Sequence, residues 1–216
     1  MTLLPFLVPA GAAAVVYGLR HAGQPAETWQ ASGVKTASTA LLALAGWWGG
    51  APLWIITGLA LGSLGDFALS RPGTRAFLAG MIAFALGHLA YVAAFVHLWS
   101  AGGGGFAPLV WPVLALMAAL VVVTALWIAP RAGALRWPVR AYALVIGAMA
   151  VAAALLPEAS GRTVTWIGVA MFVASDLILA LRMFVLRDTG WKLAGARVLW
   201  PLYWGGQALI LWGAFS

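Results

Sequence analysis

Residues 53–99 read LWIITGLALGSLGDFALSRPGTRAFLAGMIAFALGHLAYVAAFVHLW. Two apolar runs, 53–69 and 76–99, flank a short basic turn, Arg71-Pro72-Gly73-Thr74-Arg75. Each run approaches the roughly 20 apolar residues that an α-helix needs to cross a bilayer. Pro72 and Gly73 punctuate the turn between them. The stretch predicts a helical hairpin in a membrane, and it holds one residue that hydrocarbon disfavours, Asp66.

Working outward, six more apolar stretches can be marked, at about 3–19, 33–48, 108–129, 138–156, 163–183 and 197–215. The composition supports this reading. Of 216 residues, 64% are hydrophobic and 8% charged, whereas a soluble domain is roughly half apolar and about a quarter charged. Eight helices of about 20 residues use about 160, which leaves roughly 56 for loops and ends. The expectation is an all-α integral membrane protein, a bundle of eight transmembrane helices forming a single polytopic domain over 1–216. A soluble enzyme, a nucleic-acid-binding module and a disordered chain are excluded. Met1–Tyr17 lacks a basic leader and reads as a first span, not a cleaved signal. There is no Cys, hence no thiolate nucleophile, thiolate metal site or disulfide.

The net charge of +7 sorts by connection. Arg20 and Lys35, then Arg71 and Arg75, then Arg131, Arg136 and Arg140, then Arg182, Arg187, Lys192 and Arg197 fall at the odd-numbered connections. These are 11 of the 12 basic residues; Arg162 alone falls on the other side. Positive charge marks the cytoplasmic face, so both termini are expected outside the cytoplasm. Ten Arg against two Lys, with abundant Ala and Gly, points to a GC-rich bacterial genome and a bacterial inner membrane. The many Trp near span ends read as interfacial anchors.

Five acidic residues remain to be placed. Glu27, Glu158 and Asp188 fall in expected loops, but Asp66 and Asp176 fall inside spans. An unpaired intramembrane Asp costs roughly 2.5–3.5 kcal/mol on insertion scales and marks a functional site by default. Asp66 precedes Arg71 by five residues and Asp176 precedes Arg182 by six, so both lie about 8–9 Å in from a basic flank. The third and seventh spans run in parallel, and Gly65-Asp66-Phe67-Ala68-Leu69 parallels Ser175-Asp176-Leu177-Ile178-Leu179. A parallel four-plus-four duplication would leave such a trace. Gly58, Gly62 and Gly65 form a small-residue seam beside Asp66.

Other polar residues gather in the same half of the bundle. Lys35, Ser38 and Thr39 share a face of the second span, and Tyr142 starts the sixth. Tyr203 and Gln207 stack at i, i+4 on the last span, while Phe84, His88, Tyr91 and Phe95 share a face of the fourth. Zinc hydrolysis needs about three converging ligands, and His21, His88 and His97 are scattered. Ser175 adjoins Asp176, but no Gly-x-Ser-x-Gly elbow exists, and His88 stands alone in mid-span. Two carboxylates in a dry cavity remain. One can hold a proton as the acid while the other stays charged as the base. Buried carboxylates also serve proton relays, so a proton-coupled transporter or channel for a small solute or lipid is the alternative.

The ordered motifs then identify a resemblance. They run Gly65-Asp66-x-x-Leu69; Phe77-x-x-Gly80-x-x-x-Phe84-x-x-x-His88-x-x-Tyr91; Tyr142 with Met149; Gly168-x-x-x-Phe172-x-x-Ser175-Asp176-x-x-Leu179-Ala180; and Tyr203-x-x-x-Gln207. Over about residues 33–215 the chain resembles the YhhN-type lysoplasmalogenase family. Lys35 matches that family's lysine early in the second span, with Thr36 where a proline often follows; Trp204 alters the closing aromatic pair. The resemblance implies an integral-membrane hydrolase that cleaves the vinyl ether bond of lysoplasmalogen to a fatty aldehyde and a glycerophospho-alcohol. Asp66 and Asp176 would be catalytic. Lys35, Tyr142, Tyr203, Gln207, His88 and Tyr91 would orient them or bind substrate, and Arg71 and Arg75 at the rim would meet the lipid phosphate. The alkenyl chain would lie along Phe84, Phe95 and the Leu/Val-rich helix faces. No metal or cofactor is required. The partners implied are lysoplasmalogen or a related ether lysophospholipid and membrane lipids, not nucleic acid, with the site toward the cytoplasmic leaflet.

Overall fold

The computed structural model describes residues 2–24, 28–159 and 161–216. These residues form α-helices and no strand. The order is α1 (Leu4–Arg20), α2 (Trp29–Gly49), α3 (Leu53–Leu69), α4 (Thr74–Ala101), α5 (Val110–Val123), α6 (Arg136–Ala154), α7 (Arg162–Phe184) and α8 (Thr189–Gly213). A π turn (Thr124–Ile128) and a 3-10 segment (Ala129–Leu135) join α5 to α6, so the helical run Val110–Ala154 is continuous but bent. The carbonyl of Ala125 in the π turn accepts from Arg140 Nη2 at 3.0 Å.

Among the described residues three runs are long and apolar enough to cross a membrane: Thr74–Ala101, Val110–Ala154 and Arg162–Phe184. α1 and α3 are apolar but shorter. α2 and α8 have the length, 21 and 25 residues, but are diluted by Ser32, Lys35, Thr36, Ser38 and Thr39 on one and by Lys192, Arg197, Tyr203 and Gln207 on the other. Length and composition therefore do not by themselves support a count of eight crossings, nor do they fix the side on which the termini lie. The outer surface is nonetheless apolar. Leu19, Leu53 and Leu126 are 83%, 72% and 73% exposed, as suits contact with lipid rather than water.

α2 and α8 begin four and eight residues before the apolar stretches at 33 and 197. Capping explains both differences. Thr28 Oγ1 accepts from the Ala31 N–H at 3.1 Å, and Asp188 Oδ1 from the Trp191 N–H at 3.0 Å. Each cap satisfies an otherwise orphaned donor and lets a polar first turn join the helix. Asp188, expected as a solvated loop residue, is thus a helix cap. Glu158, also expected in a loop, pairs with Arg162 at 3.3 Å on the surface. Glu27 lies outside the described residues.

Neighbouring helices pack as α1–α2–α3–α4, then α4 on α6, α6 on α7 and α7 on α8. α8 returns to touch α1, α2 and α3, closing a ring, with α5 on the outer side of α6. The tightest pairs are α3 with α4 and α7 with α8. Glycine permits both. A Cβ on Gly206 would fall 2.7 Å from the Gly168 carbonyl oxygen, and one on Gly58 would fall 2.5 Å from the Tyr91 ring. The Gly58-Gly62-Gly65 seam is therefore where α4 and α8 deliver side chains: Tyr91 at Gly58, Gln207 at Gly62 and Phe84 at Gly65. α3 and α7 face each other across the ring, and among the described residues they do not pack together.

Candidate active site

Asp66 sits in the last turn of α3 and is 1% exposed. Three donors converge on it. Thr39 Oγ1 of α2 and the Tyr203 hydroxyl of α8 each donate to Oδ2 at 2.8 Å, and Lys35 Nζ lies 3.9 Å from Oδ1. Lys35 and Thr39 are one turn apart, so one face of α2 presents both. The polar chain continues inward. Gln207 Nε2 donates to the Tyr203 oxygen at 3.0 Å, and the Tyr91 hydroxyl donates to Gln207 Oε1 at 2.5 Å. A carboxylate surrounded by donors is in the setting of an ionised group, which can only accept.

Asp176, on α7, has a different environment. The Tyr142 hydroxyl donates to Oδ2 at 3.3 Å. His88 Nε2 is 3.1 Å from the same oxygen but makes no hydrogen bond, so the ring nitrogen is not aimed at it. His88 Nδ1 lies 2.6 Å from the Phe84 carbonyl oxygen. A carbonyl cannot donate, so Nδ1 carries the hydrogen. The imidazole is held by Phe172, 4.5 Å between centroids, and by the Tyr142 ring at 5.6 Å. The view of His88 as alone in mid-span is therefore corrected: it packs against Asp176. Ser175 donates to the Phe172 carbonyl at 2.7 Å and takes no part in a triad.

Both carboxylates line one chamber of about 420 Å³. α1 contributes Tyr17, and His21 just beyond it; α2 contributes Lys35, α4 Phe77 and Phe84, α7 Arg182, and α8 Trp200 and Tyr203. Tyr17, Phe77 and Arg182 lie in the terminal turns of α1, α4 and α7, near Arg20, Arg75 and Arg187, whereas Trp200 and Tyr203 lie midway along α8. Asp176, but not Asp66, also lines an apolar slot with Tyr142, Met81, Thr124 and Phe184. The slot shares Leu120, Val173 and Leu177 with an apolar groove of about 450 Å³ that follows α5, α6 and α7 as far as Trp166. Ten residues of α7 separate Trp166 from Asp176, roughly 15 Å. A polar chamber, a carboxyl group and a long apolar path thus lie in sequence.

Of the residues expected at a site, Asp66, Asp176, Lys35 and Tyr203 meet in the chamber, and Tyr142 lines the slot. Gln207, Tyr91 and His88 are fully buried behind them and hold other side chains rather than line the space. Phe84 lines both cavities, whereas Phe95 is buried against Tyr91 and lines neither. The rim arginines lie apart from this cluster. Arg71 Nη2 donates to Ser32 Oγ, with its guanidinium 3.9 Å from the Trp29 ring centre; Arg75 is exposed, and neither lines the chamber. The arginine that does is Arg182, which sequence reasoning counted only as a topology marker. Tyr17 and Trp200 were also missed; their rings meet at 4.3 Å between centroids, tilted by 54°, and Trp200 Nε1 donates to the Ala14 carbonyl at 2.9 Å. The signal for Tyr17 was its i, i+4 spacing to His21 beside a basic flank.

The sequence model of the YhhN family matches residues 30–214. Two curated relatives, each named lysoplasmalogenase, come from Mycobacterium bovis and Mycobacterium tuberculosis. Each is 32% identical over 167 residues, which is 75% of this chain and 60% of the relative. The match therefore spans less than two thirds of either relative's length. No solved structure matches the chain.

Proposed function

The chain belongs to the YhhN family, and on that premise we propose that it is a membrane hydrolase of lysoplasmalogens. It cleaves the vinyl ether bond of a 1-alkenyl glycerophosphoethanolamine or glycerophosphocholine, releasing a fatty aldehyde and the glycerophospho-alcohol. The relatives' name supports the reaction class. The observation that carries the reading is that Asp66 and Asp176 share one chamber while Asp176 alone also opens on the apolar path.

The chemistry follows from that asymmetry. An enol ether is cleaved by protonating its β-carbon, which leaves an oxocarbenium ion. Asp176, at the mouth of the apolar slot, is the proton donor. Asp66, with its donors, is the charged group that takes a proton from water as the water oxygen bonds to the cationic carbon. Collapse of the hemiacetal returns its hydroxyl proton to Asp176 while Asp66 protonates the departing ether oxygen. Both carboxyl groups end as they began, and one water is consumed. Nearby negative charge also stabilises the oxocarbenium ion. Tyr142 orients Asp176, with His88 packed beside it; Thr39, Lys35 and Tyr203 orient Asp66. Gln207 and Tyr91 hold Tyr203. The alkenyl chain follows the slot into the groove.

In this reading all eight α-helices cross the membrane as a single domain over 1–216, with both termini outside and the chamber open to the cytoplasmic leaflet of a bacterial inner membrane. The charge pattern supports that orientation. Because the chain has no Cys, single introduced cysteines test it. Thr74→Cys should label only from the cytoplasmic side and Ser216→Cys only from outside; the reverse pattern rules the orientation out. For the activity, purified protein given lysoplasmenylethanolamine should release aldehyde, and Asp66→Asn or Asp176→Asn should remove that release. Proton-dependent solute uptake without any product would point instead to a transporter.

A further inference from the structure

Among the described residues Arg182, on the wall of the chamber, makes no ion pair with a carboxylate. Among the described residues Lys35 pairs with Asp66 and Arg162 with Glu158, His88 lies beside Asp176, and Arg182 is in none of these contacts. Its position is nevertheless built. Nε donates to the Lys192 carbonyl at 2.8 Å, tying the end of α7 to the start of α8. Gly195 leaves the space that the side chain crosses, since a Cβ there would fall 2.8 Å from Arg182 Cδ. With Nε committed to that carbonyl, the fork of Nη donors is the part left to face the chamber. Lys35, the other fixed cation on this wall, already stands beside Asp66 and over the Tyr17 ring at 5.6 Å. A half-buried guanidinium with no ion-paired carboxylate among the described residues is a recognition element for an anion that offers two oxygens, and phosphate fits its fork.

The spacing suits the proposed substrate. Arg182 lies six residues beyond Asp176 on α7, about 9 Å along the axis. In a lysoplasmalogen six bonds separate the vinyl ether carbon from phosphorus, an extended reach of roughly 7–8 Å at ~1.5 Å per bond. A lipid whose vinyl ether lies at Asp176 brings its phosphate to Arg182.

We propose that Arg182 is the phosphate-binding residue of the chamber and that Lys192 and Gly195 position it, so that the enzyme selects phosphate-bearing alkenyl lipids over neutral ones. This rests on the hydrolase reading above. The test compares lysoplasmenylethanolamine with the phosphate-free 1-alkenyl glycerol, both in dodecyl maltoside, a detergent without phosphate. Arg182→Gln should lower the ratio of the two kcat/KM values by about tenfold or more, the scale of a lost hydrogen bond to a charged group. Most of that change should appear in KM for the phosphate-bearing lipid. Gly195→Ala keeps the arginine but displaces it, and should lower the same ratio. A ratio unchanged in both variants overturns the proposal. So does a change that appears only once phosphatidylglycerol is added, because Arg182 then meets bulk lipid and not substrate. If the wild type cleaves neither lipid, the hydrolase reading fails by itself. Binding of glycerophosphoethanolamine, followed by calorimetry, then decides for Arg182: a tenfold weakening in Arg182→Gln supports the site, and equal binding overturns it.

Discussion

The two halves of the site hold the same residue in different company. Asp66 on α3 and Asp176 on α7 each lie near the end of a helix, and each is followed by an arginine five or six residues on. Asp66 is gripped by Thr39, Tyr203 and Lys35 and faces only the polar chamber. Asp176 has one longer hydrogen bond, from Tyr142, an imidazole beside it that is not aimed at it, and an apolar slot on its other side. In the proposed mechanism it is this difference of environment, and not residue type or depth, that divides acid from base between two like carboxyl groups.

Removing either carboxylate is the most severe way to break the comparison. Acid–base groups contribute about 10²–10⁴-fold to rate, so Asp66→Asn and Asp176→Asn should each lower aldehyde release by about 10³-fold. Small exogenous acids sharpen the contrast. Formate should restore Asp176→Ala as the protonated acid, with rescue growing as pH falls. In Asp66→Ala it should act as the anion, with rescue growing as pH rises. Identical pH dependence of rescue in both variants would erase the proposed division of labour.

Phenylalanine substitutions probe the grips themselves. Tyr203→Phe removes a donor from Asp66 and strips Gln207 Nε2 of its acceptor in a fully buried place. Unfolding in detergent should show a loss of about 1–3 kcal/mol, the cost of leaving a buried polar group unmade. Tyr142→Phe breaks only the 3.3 Å contact to Asp176 and should cost about 1 kcal/mol or less. Equal losses would mean that the two carboxylates are held alike. The helix pairs behind them differ in the same sense. Gly206→Ala drives a methyl into the Gly168 backbone, which cannot move aside, whereas Gly58→Ala meets the Tyr91 ring. The first should cost about 1–3 kcal/mol of stability. The second should show mainly as lost activity, because Tyr91 anchors Gln207.

The comparison also shows what a sequence can and cannot disclose. Asp66 and Asp176 stand out in a chain with five acidic residues because hydrocarbon makes each conspicuous. Tyr203 and Gln207 were legible as a pair because i, i+4 spacing is fixed by the helix, and they do bond. The cross-ring partners were not. Thr39 reaches Asp66 from 27 residues away and His88 reaches Asp176 from another helix, so both depend on how α2, α4, α7 and α8 close the ring. The starts of α2 and α8 were misplaced because apolarity finds the buried part of a helix and overlooks a polar turn stabilised by a cap. Crossing a membrane is a matter of length and apolarity together, and α2 and α8 give up apolarity to the polar residues that serve the site.

The two arginines that follow the aspartates make the smallest and most discriminating contrast. By position in the sequence they are counterparts, yet only Arg71, with Arg75, was expected from the sequence to meet the lipid phosphate. α3 ends at Leu69, before Arg71, and Ser70 caps that end by donating to the Asp66 and Phe67 carbonyls at 2.9 and 2.8 Å. The chain then turns, and Arg71 swings onto Ser32 and the face of Trp29, outside the chamber. α7 continues to Phe184, so Arg182 is still helical and stays on the chamber wall. Arg71→Gln should therefore change KM for lysoplasmenylethanolamine by less than about twofold. Its effect should be a loss of stability, about 1 kcal/mol or more, from the lost cation–π contact to Trp29 and the lost hydrogen bond to the buried Ser32. A KM increase in Arg71→Gln as large as that in Arg182→Gln would return the phosphate to the rim of α3. It would also mean that the two halves of the site treat the headgroup alike.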